Sequence, residues 1–211
     1  MYDAFIFLAE GFEEIEAITT IDILRRGGVF MKSVSLTDKR EVTGDHRITV
    51  LADMTFDEWL MEFSTGRVLD LLEMSFASKR SDLPPPDITI PMMILPGGPG
   101  RVNIEKHRAL IDILKRHHDK DHPIAAICGA PIILGDLGML ENKTAVCYPA
   151  FENSLNAAKI GTSDTVTDGN ITTSKAAGTT VSFALEILRI IQGAKTVKEV
   201  CKDGLFDVTD N

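Results

Sequence analysis

The stretch that decides the fold is residues 123–131, which read PIAAICGAP. An apolar run leads directly into Cys128, and a helix-forming segment begins almost at once after small residues. This pattern predicts a strand, a sharp turn and a helix, which is the geometry of a nucleophile elbow. In an open α/β sheet, functional sites gather at the carboxyl ends of the strands. Cys128 is therefore predicted to lie at a functional edge of the sheet.

Outward from this segment, short apolar runs alternate with amphipathic helical runs. Strands are predicted at residues 4–9, 31–36, 91–95, 123–127 and 144–147, with a hairpin of 41–43 and 48–52 and a late pair at 165–166 and 171–173. Helices are predicted at residues 13–26, 106–118, 130–137, 179–191 and 197–201. Nearly continuous apolar strands separated by helices indicate an α/β domain over residues 1–211, with a mostly parallel sheet covered on both faces.

Residues 53–87 break this alternation. They contain Trp59 and further apolar residues at helical spacing, and they end in Pro84, Pro85 and Pro86. The pattern predicts two short amphipathic helices and a stiff polyproline exit, which together form a helical insertion. Such an insertion either packs on the domain or serves as a lid or a dimer contact, and the sequence leaves both open.

The composition excludes several classes of protein. The 211 residues, 44% of them hydrophobic, suit one globular domain with a full core. The net charge of −9, from 31 acidic and 22 basic residues, argues against general nucleic-acid binding. Three cysteines without a CxxC pair argue against a disulfide framework or a zinc knuckle, and they fit a reducing compartment. The apolar run at residues 4–9 is too short for an export signal or a membrane span.

The position of Cys128 suggests a reactive thiol. A cysteine just before a helix N-terminus meets the positive end of the helix dipole, which favours the thiolate. Small neighbours leave the sulfur accessible, and the backbone N–H of Gly129 can approach a bound oxyanion. From the residues alone, Cys128 is either such a thiol or a small core residue. Cys147 lies in a predicted strand and Cys201 on an amphipathic helix, so both are expected to be core residues.

Two further loops are expected at the same edge of the sheet. Glu16 follows the first strand and is predicted on the helix side that presents Ile15 and Ile23. A carboxyl buried there has a raised pKa and can donate a hydrogen bond to a thiolate; alternatively, its charge only complements the helix start. The loop at 96–100, PGGPG, either supplies N–H donors or simply turns the chain. It lacks phosphate-binding spacing, so no nucleotide cofactor is expected.

These segments resemble the DJ-one/ThiJ/PfpI superfamily, a flavodoxin-like group related to class I glutamine amidotransferases. The similarity is greatest to the ThiJ/YajL and DJ-one branch, and it rests on LAEGFEEIE (8–16), TIDILRRGG (20–28), ILPGG (94–98), AAICGAP (125–131), TSKAAGT (173–179) and FALE (183–186). The resemblance implies that Cys128 is the oxidation-sensitive thiol, that Glu16 is a protonated carboxyl bonded to it, and that Gly97, Gly98 and Gly129 surround a bound carbonyl or sulfinate oxygen. It also implies a flavodoxin-like three-layer sandwich, a homodimer and a cytoplasmic location.

Two positions depart from the pattern of the family. Its members often carry a histidine before a proline on the strand after the elbow helix, but here Tyr148 precedes Pro149. A phenol is a poor base at neutral pH, so Tyr148 is expected to orient a substrate at most. The protease-like PfpI branch has a histidine directly after the nucleophile, where this chain has Gly129. Both departures argue against a Cys–His dyad and against protease or amidase activity. His117 and His118 are read as solvated partners of a helix dipole rather than as metal ligands.

Two functions of different classes remain. The first is a cofactor-free enzyme that acts on small reactive carbonyls, similar to the glyoxalase III or deglycase activity ascribed to the family. In it, the Cys128 thiolate attacks an α-oxoaldehyde and Glu16 shuttles the proton. The second is an oxidative-stress sensor or redox-regulated chaperone in which Cys128 oxidises to sulfinic acid. A role in thiamine biosynthesis rests on the family name alone. No metal or cofactor is expected for either function.

Overall fold

Seven strands form the central sheet of the computed structural model, which describes residues 3–63, 92–156 and 159–206. With numbering along the chain, their spatial order is β10 (Thr165–Asp168), β11 (Ile171–Ser174), β7 (Ile124–Ile127), β6 (Met93–Leu95), β1 (Ala4–Leu8), β2 (Met31–Ser35) and β5 (Met54–Thr55). All neighbouring strands pair in parallel except β10 and β11. The mostly parallel sheet and the late strand pair are thus confirmed.

Strand β1 explains why the strands read as continuous apolar runs. All five of its residues are buried. Phe5 and Phe7 contribute to the core on one face of the sheet, whereas Ala4, Ile6 and Leu8 contribute to the core on the other. Because side chains alternate between the faces, a strand that is apolar throughout needs a covering layer on each side.

Helices supply both layers. One face carries α1 (Glu14–Arg26), α6 (Thr180–Gln192) and α7 (Ala194–Gly204). The other carries α2 (Phe56–Phe63), α3 (Arg101–Lys106), α4 (Arg108–Asp119) and α5 (Pro131–Asp136). The three-layer sandwich is therefore confirmed. Within the described ranges, no helix combines the length and the apolar character needed to cross a bilayer.

The segment predicted to open the insertion belongs to the core of the domain. Met54 and Thr55 form β5, which pairs with β2 at the edge of the sheet. Trp59 on α2 is fully buried, and its ring centroid lies 5.7 Å from that of Phe5 and 5.2 Å from that of Phe7. The first of the two predicted helices is thus observed as α2, and it packs on the domain, as one of the two alternatives for the insertion had it. The second predicted helix and the polyproline exit, at residues 64–87, lie outside the described residues.

Two small sheets flank the central one. The predicted hairpin is confirmed as β3 (Glu41–Thr43) paired with β4 (Thr49–Leu51). Strand β8 (Thr144–Ala145) is shorter than predicted and pairs with β9 (Lys159–Ile160) rather than with the main sheet. It ends where the N–H of Val146 donates to the side-chain oxygen of Thr173 on β11 rather than to a backbone carbonyl. Short 3₁₀ turns occupy Pro149–Ser154 and Ala177–Thr179.

Candidate active site

Three loops meet at one edge of the sheet, because β6 lies between β1 and β7 and all three strands are parallel. The loop after β7 contains Cys128, whose φ of +63° is in the left-handed region that residues other than glycine seldom adopt. Its N–H donates to the carbonyl of Ser174 at 2.9 Å, and its own carbonyl accepts the N–H of Tyr148 at 2.8 Å. Helix α5 begins three residues later, and Cys128 is partly exposed. The predicted strand–turn–helix geometry is confirmed.

Glu16 projects from the first turn of α1 into the protein and is only 1% exposed. Its Oε2 accepts the N–H of Gly97 at 2.7 Å, and the carboxyl group also interacts with the thiol of Cys128. Its Oε1 is buried and makes no hydrogen bond of standard geometry to the described residues. One N–H is poor compensation for a buried carboxylate, so the environment favours a proton on Glu16. Ile23 shares this buried side as predicted, but Ile15 is 55% exposed and does not.

Burial raises the pKa of both side chains, and Glu16 raises that of Cys128 further. Burial raises the pKa of Glu16 to about 7, and the charge of Glu13 adds to this, although hydrogen bonds oppose it. Burial also raises the pKa of Cys128 to about 12, together with the charge and the hydrogen bond of Glu16; the N–H groups of Gly98 and Gly129 act in the opposite direction. This environment opposes the expected thiolate, because burial and the adjacent carboxyl raise the pKa of Cys128. The site instead pairs a protonated sulfur with a carboxyl group that titrates near neutral pH.

The loop after β6 requires glycine because it lies directly against this pair. A Cβ on Gly97 would lie 2.6 Å from the Cβ of Cys128 and 2.8 Å from Oε2 of Glu16. Gly98 has a φ of +85°, and its N–H is hydrogen-bonded to the sulfur of Cys128. The predicted convergence of the three loops on the sulfur is what the structure has.

With the site described, comparisons place the chain among known proteins. Residues 3–190 match the DJ-1/PfpI family. The chain belongs to this family. Protein dj-1beta of Drosophila melanogaster is 30% identical over 202 residues, which cover 94% of each chain. An oxidized DJ-1 structure from Toxoplasma gondii superimposes with a TM-score of 0.82 at 26% identity, covering 99% of this chain and 100% of that one. A deglycase of Pyrococcus abyssi is 24% identical over 189 residues, or 89% of this chain and 98% of that protein.

Tyr148 stands where DJ-1/PfpI proteins often carry a histidine. Its side chain is 44% exposed, and its ring lies 5.8 Å from that of Phe151. Its backbone N–H holds the carbonyl of Cys128, so Tyr148 is fixed beside the elbow. A role of its hydroxyl in orienting substrate stays a prediction.

Sequence reasoning missed two residues that lie against Gly129, the residue after Cys128, in this DJ-1/PfpI protein. A Cβ on Gly129 would lie 2.7 Å from Cδ of Arg101 and 3.8 Å from Cε2 of Phe151, so these two side chains cover Gly129. The position of Arg101 directly after the loop at 96–100 was a usable signal. Phe151 lies in a 3₁₀ turn that no periodic pattern predicts.

His117 differs from its prediction. It is 2% exposed rather than solvated, and its Nε2 lies 3.1 Å from the carbonyl oxygen of Pro123. Burial lowers the pKa of His117 to about 4, so its ring is neutral and cannot act as a cationic partner of the helix dipole. The ring of His122 lies edge-on to that of His117, with the ring centroids 4.8 Å apart.

One group of potential metal ligands occurs among the residues that the structure describes. Glu13, Glu14 and His46 place ligand atoms within 4.8 Å of one another. The carboxylate of Glu14 already accepts the backbone N–H groups of His46 and Ile48. Its oxygens are thus largely used by donors of the protein itself.

Proposed function

We propose that the protein is a cofactor-free cysteine enzyme that converts small reactive α-oxoaldehydes to 2-hydroxy acids, an activity of the glyoxalase III or deglycase type. The observation that carries the proposal is the contact between the partly exposed Cys128 and the buried Glu16, whose pKa is about 7. A carboxyl group that titrates near neutral pH is the general base that a protonated thiol needs. The name of the Pyrococcus abyssi relative, a deglycase, supports a carbonyl substrate.

The first step forms a hemithioacetal. The sulfur of Cys128 attacks the aldehyde carbon while its proton passes to the carboxylate of Glu16. A C–S bond replaces the π bond of the carbonyl, and the N–H groups of Gly98 and Gly129 stabilise the oxyanion. The oxyanion then takes the proton back, which leaves Glu16 ionised again.

The second step moves hydrogen between the two carbons. Glu16 removes the hydrogen on the former aldehyde carbon as a proton, and the electron pair enters an enediolate. Glu16 then returns the proton to the neighbouring carbon, and the hydroxyl proton on the first carbon moves to the oxygen of the second. The aldehyde carbon is thereby oxidised to a thioester and the ketone carbon is reduced to an alcohol, so no external electron acceptor is needed. Water hydrolyses the thioester and regenerates the thiol of Cys128.

Conversion of methylglyoxal to lactate by the purified protein tests this mechanism. We expect turnover without added cofactor and its loss in Cys128→Ser. Cys147→Ser is the matched control and should keep the activity, because the thiol of Cys147 is buried and donates to the carbonyl of Tyr148. Glu16→Gln should reduce the rate by about 100-fold or more, the usual contribution of a general base. Equal rates for wild type and Cys128→Ser would exclude the enzyme.

A second function, an oxidative-stress sensor or redox-regulated chaperone, is favoured by the solvent exposure of Cys128. Cys128 is partly exposed, whereas Cys147 and Cys201 are buried. The same N–H groups would hold sulfinate oxygens, and the Toxoplasma gondii DJ-1 was solved oxidized. Mild peroxide followed by peptide mass mapping should show two added oxygen atoms on Cys128 first. A Cys128 that stays reduced while Cys147 oxidises contradicts the sensor. Such a sensor would act in the cytoplasm, as expected from the sequence.

We also propose that the protein is a homodimer. Ile15 and Ile18 on α1, and Ile48 and Leu51 in the hairpin region, are all between 41% and 72% exposed. Ile18 and Leu51 line one cleft. A second copy seated on these side chains would remove apolar surface from water. Light scattering should report a dimer that Ile18→Glu dissociates and that Ile190→Glu, exposed on α6, leaves intact. A monomeric wild type contradicts the proposal.

A further inference from the structure

The side chain of Arg101 lies against the backbone that flanks Cys128, next to the two glycines whose N–H groups act on the sulfur. The backbone N–H of Arg101 donates to the carbonyl of Gly98 at 3.1 Å. Its side chain then crosses Gly129, where a Cβ would lie 2.7 Å from Cδ and 3.1 Å from Nε of Arg101. The N–H groups of both glycines act on the sulfur of Cys128. Arg101 is therefore placed to reach a group that a ligand carries a few bonds from the atom bound to the sulfur.

The guanidinium is held in place but retains unused donors. Its central carbon lies 5.5 Å from the centre of the Phe151 ring, and Nη1 pairs with Glu105 one helical turn later. Nε and Nη2 of Arg101 make no hydrogen bond to any residue in the described ranges. The side chain is only 23% exposed, so solvent screens its charge incompletely. A fixed, partly buried cation with two unused N–H groups is suited to an anionic ligand.

We propose that Arg101 is a specificity-determining residue that selects α-oxoaldehydes carrying a carboxylate a few bonds from the carbonyl. The inference rests on the proposed function for the carbonyl chemistry at Cys128. The planar guanidinium matches a carboxylate with two parallel hydrogen bonds. A carboxylate is favoured over a dianionic phosphate, because Glu105 beside Arg101 makes a second negative charge unfavourable.

Two substrates of the same reaction class separate this role from general catalysis. 4,5-Dioxovalerate is an α-oxoaldehyde with a distal carboxylate, and methylglyoxal lacks the carboxylate. We expect Arg101→Gln to lower kcat/KM for 4,5-dioxovalerate by about 10-fold, the effect of one partly screened charge-assisted contact. The rate with methylglyoxal should stay within about twofold, since that substrate has no group for Arg101 to bind. Glu105→Gln should raise the preference for 4,5-dioxovalerate, because it removes the competing carboxylate.

Alkylation of Cys128 provides a readout that needs no turnover. Iodoacetate and iodoacetamide both transfer a two-carbon group to the sulfur with loss of iodide, but only iodoacetate is an anion. In wild type, the ratio of the iodoacetate rate to the iodoacetamide rate should exceed that in Arg101→Gln by several-fold. Arg26→Gln is the matched control, because Arg26 also pairs with an acid at i,i+4 spacing but lies at the other end of α1.

The outcomes separate the two proposals. The role of Arg101 is wrong if Arg101→Gln leaves the alkylation ratio unchanged, or if it lowers kcat/KM equally for both substrates. Neither result contradicts the proposed enzymatic activity. A lowered ratio together with no turnover of either substrate supports anion recognition by Arg101 and rejects the enzyme. A lowered ratio with a selective loss for 4,5-dioxovalerate supports both.

Discussion

Glu14 and Glu16 lie two residues apart in the first turn of α1 and are both buried, yet their pKa values move in opposite directions. Burial alone would raise both. At Glu14, hydrogen bonds from His46 and from backbone N–H groups outweigh burial and lower the pKa. At Glu16, the N–H of Gly97 does not outweigh burial, and the pKa rises to about 7.

The supply of donors explains the difference. Oε1 of Glu14 accepts the backbone N–H of His46 at 2.8 Å and that of Ile48 at 3.3 Å, and Oε2 lies 3.0 Å from Nδ1 of His46. These bonds hold the loop between β3 and β4 against α1. Glu16 has one such donor at 2.7 Å. Donor number therefore determines whether a buried carboxylate stabilises the fold or is poised to move a proton.

Gly97→Ala should produce the largest effect, because the N–H of residue 97 is the one backbone donor to the carboxyl group of Glu16. The new Cβ would lie 2.6 Å from Cβ of Cys128, so the loop must move. We expect loss of activity and destabilisation by about 3 kcal/mol, as for overpacked cores. Gly178→Ala is the control, because no described residue other than its chain neighbours places an atom within 4 Å of its Cβ position. If the two variants have similar urea midpoints and similar rates of turnover, the loop at Gly97 does not lie as close to Cys128 as described.

Glu16→Gln should have the second-largest effect, which is an increase in the free energy of unfolding at alkaline pH. The pKa of Glu16 is raised from 4.5 to about 7. Stability from its protonated form is therefore fully present below 4.5 and is lost as pH rises through about 7. At about pH 8 the glutamine variant should be more stable than wild type by about 2 kcal/mol, with a smaller gap near pH 5. Urea unfolding at both pH values measures this, and a gap independent of pH argues against a raised pKa.

Glu14→Gln should have the opposite sign. The pKa of Glu14 is lowered, so its contribution to stability is present above 4.5 and is lost as pH falls through the folded value. We expect the variant to be less stable than wild type by about 1 kcal/mol near pH 7, the contribution of a charge-assisted hydrogen bond. The same urea series at acidic pH should show the gap closing. If Glu14→Gln is instead more stable than wild type, the opposite pKa shifts of Glu14 and Glu16 are contradicted.

The elements that the sequence predicts well are those with a strong local signal. The apolar runs of β1 and β7 and the periodicity of α1 suffice, because burial on one or both faces dictates their patterns. Strand β5 has only two residues and pairs at the sheet edge, so its signal is lost beside the longer helical pattern that follows. Trp59 then looks like part of an insertion, although its ring fills the core against Phe5 and Phe7.

The candidate active site also has a part that the sequence predicts and a part that it does not. Cys128, Glu16 and Gly97 are predictable because loops after neighbouring parallel strands must meet. Their protonation is not predictable, since it depends on desolvation and on donors that only the folded chain brings together. The path of the Arg101 side chain over Gly129 is likewise a tertiary contact between α3 and the elbow, with no local sequence pattern to announce it.

His46→Gln should give the smallest effect and tests the Glu14 side of the comparison. The hydrogen bond to Glu14 raises the pKa of His46, and the charges of Glu13 and Glu14 add to it. A raised histidine pKa contributes stability that is fully present below the ordinary histidine pKa of 6.5 and is lost as pH rises through the folded value. Thermal melting should therefore show His46→Gln below wild type at about pH 5.5, with the two converging by about pH 9.

In a Glu14→Gln background the pH-dependent difference caused by His46→Gln should shrink, because the principal partner of the imidazolium is gone. His46 is largely exposed, so the effect should also weaken at high salt. If His46→Gln causes the same pH-dependent difference with and without Glu14→Gln, Glu13 alone raises the pKa of His46. The donor count at Glu14 would then be one fewer, and the contrast with Glu16 would rest on the backbone N–H groups of the hairpin loop.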